Sequence, residues 1–200
     1  MADRTLTAGK VYTKTVDKLY INASSPDGTV GYYKDGTETE RLAIVASLTV
    51  NSTTYKYAIA TANETSGTPT WTVDGVAYYT FADAKSQFAN NTDSYSAANV
   101  WRLPTQTELE ALAGLTNSWQ ADPAGRTWTI GSASLFLPAA GLCNSGDADD
   151  VGDYGYYWSS TPFDELLAYY LDFGSGYCDV YDDSREAGSS VRLFCKLPSE

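Results

Sequence analysis

The chain has 200 residues, 43% of them apolar, with 13 basic and 25 acidic side chains, no histidine and a formal charge of −12. That is one domain's length with enough apolar matter for a core, which excludes a disordered tail. The acidic balance argues against nucleic-acid phosphates and anionic membrane surfaces as partners, and no run of about 18 apolar residues offers a membrane span.

In chain order, residues 1–20 alternate polar and apolar ("KVYTKTVDKLY") and predict a strand-like N-terminal arm. They contain no apolar stretch of the kind a signal peptide needs. Asp27-Gly28 and Asp35-Gly36 flank "TVGYYK" as turn signals around a short strand. "LAIVASLTV" (Leu42 to Val50) is nearly continuous in apolar and β-branched residues and predicts a buried strand. "TTYKYAIATA" follows Asn51-Ser52 as its hairpin partner, and a second hairpin around Trp71 to Tyr79 turns at Asp74-Gly75.

Two helices are predicted, near 81–89 and 106–113. Thr80 and Asp83 form a capping-box pattern ahead of Phe81, Ala84 and Phe88 on one face. In "LPTQTELEALAGL", Thr105 caps, Glu108 completes the box, Leu109 and Leu112 point inward and Gly114 ends the helix. From about residue 118 the pattern is loops and short strands: "RTWTIG", "SLFLPAAG", "YYWSS", "AYYLDF" and "SVRLFCKL". The expected class is α+β, with two helices, short antiparallel strands and a loop-rich C-terminal half. Residues 21–200 form one domain with no internal repeat.

Several motifs invite chemistry. Asp147, Asp149, Asp150 and Asp153 cluster as calcium ligands do, but Val151 and Trp158 fall where an EF-hand loop needs oxygen donors. Three cysteines, Cys143, Cys178 and Cys195, have no metal-ligand spacing. No cofactor motif, catalytic constellation or metal site is expected.

The phrases "WRLPTQTELEALA", "LFLPAAG", "GYYWSST", "AYYLDF" and "SVRLF" occur in that order between Trp101 and Phe194. Together they resemble the C-type-lectin-fold proteins of the formylglycine-generating-enzyme-like branch. More closely, the chain resembles the variable proteins of diversity-generating retroelements of gut bacteria and their phages, over roughly residues 30–197. The resemblance implies a C-type-lectin-like fold and a binding function. It also implies that a reverse transcriptase rewrites adenines in one C-terminal block, turning AAC codons into NNC, which cannot encode Lys, Gln, Glu, Met or Trp.

Residues 144–190 fit such a block. They contain no Lys, Gln or Met, while the rest of the chain has seven, three and one. Glu165 and Glu186 do not fit NNC and must be fixed or come from another codon. The block holds nine Asp, two Glu, one Arg and seven Tyr, a net −10. Tyrosine with small and acidic residues is the composition of binding loops. The regular positions Tyr157, Trp158, Leu171, Phe173, Val191 and Leu193 are assigned to the core, with Arg185 and Arg192 bracing loops. The irregular positions Asp153, Tyr154, Tyr156, Phe163, Asp164, Leu166, Leu167, Tyr170, Asp172, Tyr177, Asp179, Tyr181, Asp182 and Asp183 are expected to be exposed and to bind.

The expected partner is a protein on a cell surface, with no nucleic acid and no membrane insertion; this chain would be displayed on a cell or a phage virion. Alternatives from the same resemblance are a cysteine oxidase working through Cys178 and Cys195, or a calcium- or sugar-binding module.

Overall fold

The computed structural model describes residues 18–88 and 99–198. Most of the expected N-terminal arm therefore lies outside the described residues, as does the last residue of the first expected helix. In chain order the strands and helices are β1 (Val30–Lys34), β2 (Glu40–Val50), β3 (Thr53–Ala60), β4 (Trp71–Val73), β5 (Val76–Tyr78), α1 (Phe81–Phe88), α2 (Gln106–Ala113), β6 (Asn117–Ala121), β7 (Ala124–Ile130), β8 (Ala133–Pro138), β9 (Leu142–Asn144), β10 (Asp147–Asp149), β11 (Gly155–Pro162), β12 (Leu167–Phe173), β13 (Cys178–Ser184) and β14 (Phe194–Lys196). They form a four-stranded sheet β1-β2-β3-β14, two three-stranded sheets β6-β7-β8 and β11-β12-β13, and the pairs β4-β5 and β9-β10. All these pairings are antiparallel.

β2 reads as an almost unbroken apolar run because both its faces are covered. Ala43 and Val45 join one core with Ala58 and Ala60 of β3, while Ile44, Ala46 and Leu48 join a second with Tyr57 and Ile59. The turn between the strands is Asn51-Ser52, with φ of 48° and 63°, the left-handed geometry that lets two residues reverse a twisted hairpin.

The sheet β11-β12-β13 repeats this arrangement. Tyr157, Leu171 and Phe173 enter the second core, where Leu109 and Leu112 of α2 also pack. From the opposite face, Trp158 and Ala168 enter the first core beside Phe81 of α1. Gly155 starts β11 directly against the Phe173 ring: a Cβ there would lie 2.2 Å from Cζ, so only glycine lets that ring pack.

The C-type-lectin-like α+β class expected from the sequence needs correction. Among the described residues two eight-residue helices stand against fourteen strands, so the fold is β-rich. Both helices sit where the capping signals place them. The half expected to be loop-rich is instead built from β6 to β14. Its overlooked strands, "NSWQA", "LCN", "DAD" and "CDVYDDS", are short or acidic and lack the apolar alternation that marks a strand.

Candidate recognition face

Register decides what the residues of 144–190 can do together. Tyr156 lies opposite Asp172, and Asp172 opposite Asp179; Trp158 lies opposite Tyr170, and Tyr170 opposite Tyr181; Ala168 lies opposite Asp183. Because side chains alternate along a strand, these residues share one face of the sheet. Tyr157, Leu171 and Val180 share the other, together with Tyr169 and Asp182.

On the first face the tyrosines make one continuous cluster. Tyr154, from the turn before β11, stacks on Tyr156 at 6.2 Å between ring centroids and meets Tyr177, from the β12–β13 turn, at 6.2 Å. Tyr156 contacts Tyr170 at 5.7 Å, and Tyr177 contacts Tyr181 at 6.3 Å. Tyr170 in turn meets Trp158 edge-on at 5.9 Å, which ties the cluster to the core. Such ring pairs each add about 0.5–1.5 kcal/mol beyond area burial.

Polar groups are threaded through the rings. The Tyr177 hydroxyl donates to Asp172 Oδ1 at 2.9 Å, and the Tyr156 hydroxyl donates to Asp150 Oδ2 at 3.0 Å. Burial pushes the Asp172 carboxyl up to about 6; the Tyr177 hydrogen bond opposes this, and the nearby Asp150 and Asp183 carboxylates reinforce it. Burial likewise raises the Tyr156 and Tyr177 hydroxyls, each helped by the carboxylate it binds, so both remain donors.

Three of the residues expected to be exposed are not. Tyr156, Tyr170 and Asp172 keep only 9%, 8% and 8% of their surface open: Tyr154 stacks on Tyr156, Tyr177 bonds Asp172, and Tyr170 packs between Tyr156 and Trp158. Tyr154, Leu167 and Asp183 are half-buried, while Asp153, Asp164, Asp179 and Asp182 are exposed. Phe163, Leu166, Tyr177 and Tyr181 are the exposed large side chains of the set.

The structure does not bring all fourteen together. Asp153, Tyr154, Tyr156, Asp172, Tyr177 and Asp179 gather at one end of the sheet. Phe163, Asp164, Leu166 and Leu167 sit at the other, where Phe163 packs on Tyr169 at 5.4 Å and Arg185 Nε donates to the Leu167 carbonyl at 3.0 Å. The seven residues of β12 separate the two ends by roughly 20 Å. Tyr170 and Tyr181 bridge them, and Asp182 points to the opposite face.

The sequence reading missed Trp119. With Ala121 of β6 it forms one wall of a cleft of about 310 Å³ whose other wall is Gly152, Asp153, Tyr154 and Ser175. The cleft thus joins a residue outside 144–190 to the tyrosine cluster. The signal available in the sequence was a tryptophan set in the otherwise polar stretch "NSWQA".

Among the described residues no group of three or more Asp, Glu, Cys or His could hold a metal ion. Cys195 lies in the first core and Cys178 packs against the second, both as free thiols. Burial pushes Cys178 up to about 11 and Cys195 up to about 12, away from the thiolate a nucleophile requires.

A family model described as a domain of unknown function (DUF8237) matches residues 119–194, a stretch that contains all of 144–190. No curated protein and no solved structure matches the chain. No helix among the described residues is long and apolar enough to cross a membrane.

Proposed function

We propose that this protein is a recognition module whose face from residues 144–190 is diversified by a retroelement and binds protein targets on cell surfaces, with the chain itself displayed on a cell or a phage virion. The observation that carries the reading is a concentration of unsatisfied surface. Val151, Phe163, Leu166, Tyr177 and Tyr181 are exposed large apolar side chains within this one block. Among the described residues none of its eleven carboxylates forms an ion pair; the pairs present use Glu40, Glu38, Glu64, Asp27 and Glu108. Exposed apolar groups at both ends of the sheet offer a partner contact area, and unpaired acids of one sign select a basic or mixed-charge partner.

The scaffold suits replacement of these side chains. Trp158, Tyr157, Leu171 and Phe173 anchor the sheet into two cores, so the exposed residues Phe163, Leu166, Tyr177 and Tyr181 can vary without dismantling it. The test compares two siblings differing only within 144–190 for binding to one cell-surface protein selected with the first. The second should lose that target at least tenfold. Equal binding by both would place recognition elsewhere on the domain and overturn the reading.

A further inference from the structure

Asp172 poses a question that a generic binding face does not answer. Asp172 is nine-tenths buried among tyrosine rings, yet among the described residues no cation pairs with it. Its Oδ1 accepts from Tyr177, and among the described residues Oδ2 accepts from no protein group. Oδ2 is not one of the fully enclosed unpaired atoms, so it keeps contact with solvent.

The groups facing Asp172 from each neighbouring element are neutral or acidic. β11 contributes Tyr156, and the turn before it contributes Asp150, Asp153 and Tyr154. β12 itself adds Tyr170, the following turn adds Tyr177, and β13 adds Asp179 and Asp183. The guanidinium at this end of the sheet, Arg126, is committed to the Gly174 carbonyl at 2.6 Å and to Asn117.

A carboxylate bordered by aromatic faces is the chemistry that receives a guanidinium. The cation pairs with the acid while its plane lies against rings whose faces are electron-rich. We propose that the end of the sheet around Asp172 is the seat of one arginine side chain of the partner protein, paired to Asp172 Oδ2 and flanked by Tyr154 and Tyr177. This rests on the recognition face proposed above and names the group that face takes. Burying an unpaired charge is costly, and a partner that supplies the missing counter-charge relieves that cost on binding.

The probe is a hexa-arginine peptide, with hexa-citrulline as its uncharged isostere, measured by titration calorimetry at fixed ionic strength. Hexa-arginine should bind and hexa-citrulline should not. Asp172→Asn should weaken binding at least tenfold, whereas Glu110→Gln, which removes one exposed charge on α2, should change it less than twofold. In the unaltered protein, affinity should fall about tenfold from pH 7 to pH 5 as Asp172 takes up its proton near 6. That readout stands even if the Asp172 variant fails to fold.

Equal losses at Asp172 and Glu110, equal binding of the two peptides, or no binding of hexa-arginine would each overturn the inference. So would affinity that stays flat to pH 5, which would assign binding to ordinary surface carboxylates. A sibling exchange that abolishes binding of the selected target, beside a hexa-arginine peptide that does not bind, would sink this inference alone and leave the recognition face standing.

Discussion

At the residue scale, Asp172 works against the fold that holds it. Folded, it keeps its proton up to about 6, whereas its ordinary value is 3.8. Between those values the folded chain binds more protons than the unfolded one, so this residue makes stability fall as pH rises through the window. Above about 6 the loss is complete, and below the ordinary value it vanishes. Asp172→Asn should therefore stabilise the protein at pH 7.5, by on the order of 1 kcal/mol after solvent screening, and leave it unchanged at pH 3.5. Urea unfolding at the two pH values measures this; a destabilised variant at pH 7.5 would mean the carboxylate contributes to folding. A group that costs stability where it sits is the kind a functional site holds, in keeping with the proposed recognition face.

At the scale of elements, β11 and its neighbours show how core and exposed positions divide. Trp158 is almost fully enclosed, packs edge-on against Phe81 at 5.6 Å, and its indole N–H donates to the Tyr79 carbonyl at 2.7 Å. Trp158→Ala should cost about 3–5 kcal/mol through the cavity it leaves. Phe163→Ser and Tyr181→Ser, at exposed sites, should each stay within about 0.5 kcal/mol. Denaturant unfolding reads the contrast, and equal losses would contradict the division. Elements whose signals are local were legible in the sequence. Thr105 accepts from the Glu108 amide, and Glu108 returns a bond to the Thr105 amide while gripping Arg102 with both oxygens at 2.7 Å, so α2 announces itself within four residues. The central β2–β3 hairpin was equally plain from its apolar run and its Asn51-Ser52 turn. β13 was not, because three of its seven residues are Asp, a poor strand former. It is an edge strand, and there acids are useful: Asp179 and Asp183 accept from the amides of Val180 and Ser184, occupying groups another chain could pair with. The burial of Tyr156 and Asp172 was also beyond reach, since it depends on Tyr154 and Tyr177 arriving from two separate turns.

At the scale of the whole molecule, charge and rigidity have separate consequences for binding. The block 144–190 carries a net −10 of the chain's −12, so the field that a partner meets comes from one region. Unpaired carboxylates act through space before contact, which makes them steer encounter. The aromatic cluster acts only in contact, and its continuity with Trp158 and the first core holds it in place before the partner arrives. Salt and side-chain truncation should therefore separate kinetically once a partner has been selected. Raising salt from 0.1 M to 1 M shortens the screening length from about 10 Å to about 3 Å and should slow association more than it speeds dissociation. Tyr177→Ser and Tyr181→Ser should do the reverse, raising the dissociation rate while leaving association within about threefold. Surface plasmon resonance across a salt series gives both rates. If salt acted mainly on dissociation, the carboxylates would be buried in the complex rather than steering toward it. If tyrosine truncation acted mainly on association, the cluster would have to be assembled during binding rather than presented by the two cores beneath it.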